Sequence, residues 1–293
     1  MTARHGTFIL NYLHDALDRP ALSGGRWARE APLSRLYGTS FSDQAQTVNA
    51  QESATEIVFA FSRLVEARGF YVARGNWSKA ATWELQASYD PSFATDIVAA
   101  VPETEVYGEA YRMEDLDFED ERFWDGKIAD RELQRFPMPI FHVFPANVLA
   151  PYWRLRIRDQ RNPERFLRVA GVGLGPVIQP SANYERPHRL SLQDASIRTT
   201  GLGGADFHDV REKRRIVNVR FPGLPTDEAL ARIFDDLQGR LGIAGQFFWC
   251  ADPGDTLNRH RISFLATLDQ LDPLEAEIAG ERGVSLQIRE VVA

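Results

Sequence analysis

The chain has 293 residues, of which 44% are hydrophobic and 11% aromatic, so it has a globular composition and is long enough for two domains. Its formal net charge of −7 argues against a general nucleic-acid binder, although its arginines are clustered locally. The single cysteine, Cys250, excludes an intrachain disulfide and a cysteine-based zinc site.

The N-terminal segment predicts a protein made in the cytosol. Asn11 and His14 interrupt its first apolar residues too early for the apolar core of a signal peptide. No window comes near the roughly 18 apolar residues of a membrane helix, so we expect no membrane insertion. A lone cysteine also fits synthesis in a reducing compartment.

Apolar and alternating runs in the first half of the chain predict β-strands. Residues 56–65 are strongly apolar between polar stretches, and residues 70–74 and 81–88 have the composition of two further strands. In residues 81–88 apolar and polar side chains alternate, which places Trp83 on one face and Glu84 on the other. The first half of the chain is therefore predicted to be a β-rich domain.

Residues 108–136 form an acidic, aromatic insertion. Its alternating carboxylates at Asp115, Asp117 and Glu119 are candidate ligands of Ca²⁺, which takes roughly six to eight oxygens. The segment lacks the glycine that an EF-hand turn requires, and its aromatic residues favour packing. We therefore favour a solvated or partner-facing acidic loop, and predict no other metal site.

Two runs in the middle of the chain predict a β-hairpin. In residues 150–159 three apolar residues alternate with three arginines, the period of two of a half-buried strand. They are Trp153, Leu155 and Ile157 on one face and Arg154, Arg156 and Arg158 on the other. Residues 160–163 supply the turn and residues 166–175 the antiparallel partner. Hairpins of this kind close jelly-roll sandwiches of the discoidin or galactose-binding type.

The glycine-rich end of this hairpin, residues 171–175, superficially suggests a nucleotide-binding loop. It runs into Pro176 and not into a helix whose N-terminus could bind a phosphate. Close packing of the backbone is the better explanation.

The row of arginines is unusual in an acidic protein. It has three explanations: pairing with acidic residues on neighbouring strands, an electrostatic seam between subunits, or a solvated face. A second basic run, residues 211–215, lies on a predicted strand. Separated regions of opposite charge are what identical subunits use to fix their register. The candidate subunit contacts are Arg154, Arg156, Arg158, Arg211, Lys213, Arg214 and Arg215.

The last third of the chain predicts an α+β domain. Residues 189–198 and 206–221 are two predicted strands, joined by a glycine-rich turn at 201–204. Apolar residues at helical spacing predict a helix over 226–241, with Gly242 at its C-cap. Further strands are predicted at residues 246–250, 261–268 and 284–292. The predicted fold class is thus mainly β: a jelly-roll, galactose-binding-like β-sandwich over residues 1–183 and a smaller α+β domain over residues 184–293.

No catalytic or cofactor motif stands out. The chain has no nucleophile elbow, phosphate-binding loop or dinucleotide fingerprint, and its six histidines are scattered without ligand spacing. A polysaccharide hydrolase would need two opposed carboxylates, and none of the 41 acidic residues suggests such a pair. We predict a protein that is not an enzyme and needs no cofactor.

Aromatic residues in predicted loops support a hypothesis of carbohydrate binding. Such rings stack on sugars, but they serve equally as core or interface anchors. The candidates for stacking on a glycan are Trp27, Tyr37, Trp77 and Trp124.

The order and spacing of several segments between residues 10 and 215 resemble a family of tail proteins from long-tailed bacteriophages and prophages. These segments are GNWSKAATWELQAS (75–88), APYWRLRIRD (150–159) followed by Asn162-Pro163, GVGLGP (171–176), QPSAN (179–183) and GLGG (201–204).

The resemblance implies a tail-tip protein with a discoidin-like sandwich, which acts as a distal tail or baseplate component. Such proteins form rings around the tail axis, join the tail tube to the hub, and present a carbohydrate-binding-like domain outward. The family commonly carries its ring domain first, whereas this chain is predicted to carry the sandwich first, with its C-terminal domain as the candidate belt-type ring module. The implied protein is a homo-oligomer of the virion tail. The alternative is a carbohydrate-binding module for host-surface attachment.

Overall fold

The computed structural model describes residues 5–15, 19–120, 122–128, 138–200 and 203–292. The chain is mainly β, with 45% strand and 12% helix in several antiparallel sheets, which confirms the mainly β prediction. Within the described ranges, no helix is both long enough and apolar enough to cross a membrane.

The strands of the described residues follow one another with few helices between them. The first nine are β1 Thr7–Ile9, β2 Ala21–Ser23, β3 Ala45–Gln46, β4 Glu56–Gly75, β5 Thr82–Ser88, β6 Ile97–Glu105, β7 Ile140–Arg158, β8 Arg168–Gly175 and β9 Val177–Ile178. The others are β10 Arg189–Gln193, β11 Ile197–Thr200, β12 Asp206–Asp209, β13 Arg214–Pro225, β14 Phe247–Cys250, β15 Ser263–Leu268, β16 Glu275–Ile278 and β17 Glu281–Glu290.

All but one of the helical segments of the described residues are short. Four are 3₁₀ turns: Tyr12–His14, Leu33–Tyr37, Glu52–Ala54 and Met113–Asp115. The others are Thr226–Glu228, which continues as a π-helix over Ala229–Gly239, and Arg259–Ile262.

The chain divides into two compact units. Unit 1 comprises Met1–Ile178 and Phe248–Phe264, and unit 2 comprises Gln179–Phe247 and Leu265–Ala293. The predicted boundary between residues 183 and 184 lies near the first of these divisions, but residues 248–264 group with unit 1. The reason is aromatic packing, since the ring of Phe248 lies 5.0 Å from that of Tyr71 and 5.1 Å from that of Phe141.

The main sheet of unit 1 has the strand order β3-β8-β4-β7-β5-β6, with β2 also paired to β4. Its centre is the antiparallel ladder of the two longest strands, β4 and β7. Two register shifts interrupt this ladder, and such bulges bend a strand without ending it. The predicted strands 56–65 and 70–74 are therefore one strand, because the residues between them form bulges instead of a turn.

The predicted hairpin of residues 150–159 and 166–175 is wrong in its pairing. Both runs are strands, β7 and β8, but β4 lies between them and pairs with each. The segment after β7 is held elsewhere: Asp159 accepts hydrogen bonds of 2.8 Å from the backbone N–H of Ser78 and from the side-chain amide of Asn162. The segment that follows β7 is thus anchored to the loop before β5 and does not close a hairpin.

The alternation predicted for β7 is confirmed. Trp153, Leu155 and Ile157 are buried in the core of unit 1, and each such side chain contributes about 1.5–3 kcal/mol to stability on burial. The close-packing explanation of residues 171–175 is also confirmed, because a Cβ atom at Gly173 would lie 2.3 Å from the ring of Tyr71. A smaller ladder in unit 1 pairs β1 with both β9 and β14.

Unit 2 is built on the ladder β10-β13-β17, and β17 pairs also with β16 and with the end of β15. The two predicted strands 189–198 and 206–221 do pair with each other. Each is broken in two, however, so that β10 pairs with β13 while β11 and β12 form a separate two-stranded hairpin.

The helix predicted over 226–241 is confirmed in unit 2, with Ile233 and Leu237 buried. Gly242 has a φ of +58° and donates its N–H to the carbonyl of Gln238 at 2.9 Å, as expected of a glycine that ends a helix. The strands predicted at 246–250, 261–268 and 284–292 correspond to β14, β15 and β17.

Candidate functional site

The three arginines of β7 are held by carboxylates of the neighbouring strands. Arg156 bonds Glu56 through Nε at 2.8 Å and Glu84 through Nη1 at 3.3 Å. Arg158 shares Glu84 at 3.2 Å, and a guanidinium nitrogen of Arg154 lies 3.9 Å from Glu56. Opposite charges placed across a ladder stabilise a sheet. The structure therefore shows the first of the three explanations, pairing of the arginines with acidic residues on neighbouring strands.

Arg154 is the most enclosed of the three. Its Nη2 donates to the side-chain oxygen of Gln86 at 2.5 Å, and its guanidinium carbon lies 4.3 Å from the centre of the Phe93 ring. Burial lowers the pKa of Arg154 from its usual value, and the neighbouring Arg156 acts in the same direction. These arginines have partners within unit 1, and their role between subunits stays a prediction.

The second basic run divides into exposed and buried residues. Arg211 and Lys213 are exposed, and they form ion pairs with Asp209 at 3.1 Å and with Asp194 at 3.5 Å. Arg214 is half-buried. Arg215 is buried, and its Nε and its backbone N–H both donate to Glu290 at 2.8 Å. The prediction of Arg215 as a contact on the surface is therefore wrong, because its side chain is buried in unit 2, where it pairs with Glu290.

Strands β10, β11 and β12 are exposed at every residue. We call residues 189–200 and 203–213, which contain these strands and their described connections, the arm. The arm carries large apolar side chains that nothing in the described chain covers fully. They are Leu190, Leu192, Ile197, Phe207 and Val210, and the last two are 65% and 80% exposed.

The apolar side chains of β10 continue a face of the sheet that is buried at the neighbouring strand β13. Leu190 lies opposite Val217 and Leu192 opposite Arg215 in the ladder, and both of these β13 residues are buried. Residues opposite each other share one face of a sheet. The face that unit 2 buries at β13 therefore continues to β10 but is left open to solvent there.

Described residues of the segments 109–116 and 123–126 line a groove of about 720 Å³, which we call the aromatic groove. Its apolar lining includes Met113, Leu116, Phe123 and Trp124, and Trp124 is 75% exposed. Phe118, itself 70% exposed, makes edge-to-face contacts with Phe123 and Trp124 at ring distances of 5.3 and 5.9 Å. These rings form one cluster that the described residues leave largely uncovered.

Polar contacts connect residues of the segment that lines the aromatic groove. Asp120 accepts bonds of 2.8 and 2.6 Å from Nε and Nη2 of Arg122, whose guanidinium carbon lies 4.6 Å from the Tyr111 ring centre. The backbone N–H of Tyr111 donates to the carbonyl of Gly126 at 3.0 Å. Three carboxylates, Glu109, Glu114 and Asp125, are part of the lining of the groove.

The Ca²⁺ candidates Asp115, Asp117 and Glu119 are exposed and do not converge. Within the part of the chain that the structure describes, no group of three or more His, Cys, Asp or Glu side chains is placed to hold a metal ion. Part of the insertion, Glu121 and residues 129–136, lies outside the described residues.

The four stacking candidates have different surroundings. Trp77 is 6% exposed and donates from Nε1 to the carbonyl of Met138 at 3.2 Å, so its prediction as an exposed stacking residue is wrong. Trp27 and Tyr37 are half-buried, and the Tyr37 hydroxyl donates to the carbonyl of Pro20 at 2.9 Å. Trp124 alone of the four lies open to solvent.

The exposed apolar surface of the arm was not predicted from the sequence. Leu190 and Leu192 alternate with polar residues as in any half-buried strand, and Phe207 stands alone among polar neighbours. The one available signal was the number of large apolar residues near a glycine-rich turn.

A scan against models of protein families finds no match to this chain, and a search of curated proteins finds none either.

Proposed function

We propose that this protein is a structural, non-enzymatic component of a bacteriophage tail tip. It assembles there as a homo-oligomer around the tail axis, links the tail tube to the hub, and resides in the virion. The resemblance of its segments to tail proteins supports the tail assignment. We also propose that the N-terminal part is a jelly-roll, galactose-binding-like sandwich, for which the antiparallel β-rich unit 1 is the supporting observation.

The observation that carries the proposal of self-assembly is the exposed arm. An isolated two-stranded hairpin is marginally stable in water and needs packing against further structure. Here β11 pairs only with β12 among the described residues, and Phe207 and Val210 are mostly exposed. A partner protein that covers the arm would supply the missing contacts.

Carbohydrate binding has less support. Of its four stacking candidates, Trp77 is buried and two are half-buried, which leaves Trp124 as the exposed ring. Calorimetric titration with host-surface oligosaccharides tests this alternative. Binding heats that disappear in Trp124→Ser would revive it.

Light scattering of the purified chain over a range of concentrations and salt levels tests the proposed self-assembly. We expect a mass above that of the 33.1 kDa monomer, increasing with concentration, and closed rings by negative-stain microscopy. A monomer under all conditions would contradict self-assembly.

Location in the tail needs its own measurement. Antibodies raised against the purified protein, coupled to gold, are expected to mark the distal end of tails in particles from the source strain. Label along the whole tube or on the capsid would contradict a tail-tip role, even for a protein that forms rings.

A further inference from the structure

We propose that the aromatic groove binds an arginine side chain presented by a partner protein. This inference goes beyond the proposed function and does not depend on self-assembly. It specifies the chemistry of the occupant, a guanidinium group on a protein segment. Three observations carry it: the exposed rings of the groove, the charge of its lining, and a contact of the same kind within the segment itself.

The rings of the groove offer a surface on which a planar cation can stack. Trp124 is 75% exposed, so the described residues leave most of its ring surface open. Phe123 and Phe118 contact the indole edge-to-face at ring distances of 5.3 and 5.9 Å, and these contacts restrict its orientation. A cation within about 6 Å of a ring centre is attracted to the face of the ring, and tryptophan attracts it most strongly.

The charge of the groove is suited to a cation. Its described lining has three carboxylates, Glu109, Glu114 and Asp125, and one cation, Arg112, which forms an exposed pair with Glu114 at 3.5 Å. The wider segment, residues 108–126, contains eight acidic residues against two arginines. Such a field attracts a cationic partner and repels nucleic acids and anionic lipid surfaces.

Backbone contacts bring two of these carboxylate residues close together. The N–H groups of Ala110 and Tyr111 both donate to the carbonyl of Gly126, at 2.8 and 3.0 Å, so the backbone at Glu109 runs beside that at Asp125. A Cβ atom at Gly126 would lie 3.6 Å from Cγ of Glu109. Like charges this near to each other repel, and a guanidinium has five N–H donors with which to pair with carboxylates.

The segment itself contains a contact of the proposed kind. The guanidinium carbon of Arg122 lies 4.6 Å from the Tyr111 ring centre, and its Nε and Nη2 bond Asp120 at 2.8 and 2.6 Å. One ring and one carboxylate thus hold a guanidinium here, and Trp124 with the carboxylates of the lining presents the same two groups to solvent. A lysine ammonium is more strongly hydrated and lacks the planar fork, so arginine suits this surface better.

A set of three short peptides tests the chemistry of the occupant. The probe is the tripeptide Ala-Arg-Ala blocked at both ends, and the comparison peptides carry lysine or citrulline, an uncharged analogue of arginine, in its place. Each is titrated at constant ionic strength into the ¹⁵N-labelled protein, and NMR signals give the Kd. We expect the citrulline peptide to bind at least about 10-fold more weakly than the arginine peptide, with the lysine peptide between them. Added salt should weaken binding of the arginine peptide.

Substitutions test the place of binding. Trp124→Ser is expected to raise the Kd of the arginine peptide roughly 3- to 30-fold, because the stacking surface is lost. The double variant Glu109→Gln, Asp125→Asn keeps the shapes and removes two charges, so it should raise the Kd and reduce the effect of salt. Phe234→Ser and Asp236→Asn, at an exposed ring and a partly exposed carboxylate on the helix of unit 2, are the matched controls and should leave the Kd unchanged. Circular dichroism verifies that all variants are folded.

Three outcomes would overturn the inference. The first is that the arginine peptide shifts no signal at its highest soluble concentration. The second is equal binding of the citrulline peptide, which would make the groove an apolar surface without preference for a cation. The third is binding that Trp124→Ser and the double variant leave unchanged, which would place the peptide elsewhere. None of these outcomes bears on self-assembly, which light scattering tests separately.

Discussion

At the scale of the residue, the ion pair of Arg215 and Glu290 shows what burial does to a charge. Their side chains are 5% and 15% exposed, and the carboxylate accepts hydrogen bonds from both the guanidinium and the backbone of Arg215. Removal of one partner leaves an unpaired charge away from water, which costs far more than loss of an exposed pair. The contact links β13 to β17 in unit 2.

We predict that Glu290→Leu lowers the free energy of unfolding by about 3–5 kcal/mol, because Arg215 is then buried without its carboxylate. The double variant Arg215→Met, Glu290→Leu should be more stable than this single variant. Asp236→Asn, which breaks an exposed pair with Arg232, is the control and should change stability by less than about 1 kcal/mol. Urea unfolding measures all three, and equal losses in the single and double variants would contradict the argument.

At the scale of the element, strand β8 approaches its neighbours too closely for a side chain at Gly173. The ring of Tyr71 fills that position, and it cannot move away easily because it is fully buried and stacked against Phe248 at 5.0 Å. The glycine thus allows β4 and β8 to pair while an aromatic ring of β4 lies against β8.

We predict that Gly173→Ala destabilises the protein by about 1–3 kcal/mol, since the added methyl group forces the Tyr71 ring or the strand to shift. Gly108→Ala is the matched control, because a Cβ atom there would meet nothing within 4 Å. Thermal unfolding followed by circular dichroism compares the two. A Gly173→Ala variant as stable as the control would mean that Tyr71 has room to move.

The pairing of β4 between β7 and β8 also shows the limit of prediction for elements. The alternation of Trp153 and Arg154 correctly predicted a half-buried strand with an apolar and a basic face. It could not predict the neighbour, because any strand with an apolar face satisfies the same pattern. Two register shifts, in a run that looks like two strands in the sequence, allow β4 to pair along both edges.

At the scale of the whole molecule, burial of ionisable groups sets a limit on stability at high pH. Burial raises the pKa of Cys250 to about 12, and burial, with the nearby Asp159 as a lesser cause, raises the pKa of Tyr107 to about 12. Burial also raises the pKa of Tyr71. In the unfolded chain these groups ionise near about 8.5 for cysteine and about 10 for tyrosine. The folded chain therefore holds protons that the unfolded chain releases.

The free energy of unfolding is accordingly expected to be insensitive to these groups at neutral pH and to fall as pH rises above about 8.5. Between its unfolded and folded pKa each group contributes a slope of about 1.4 kcal/mol per pH unit. Urea unfolding at a series of pH values measures this slope. The double variant Cys250→Ala, Tyr107→Phe should have a shallower slope, and an unchanged slope would assign the pH dependence to other groups.

The sequence by itself determined the mainly β class, the polarity of each face of β7, the helix of unit 2 and the glycine that ends it. These features follow from local periodicity and from backbone preferences that do not depend on distant residues. Only the tertiary structure decided which strands pair, that Trp77 is buried while Trp124 is exposed, that Arg215 turns inward, and that the described residues leave the apolar side chains of the arm largely exposed. The physical reason is that the pattern of a strand specifies which face is apolar, whereas what covers that face depends on residues far away in the chain or in another copy.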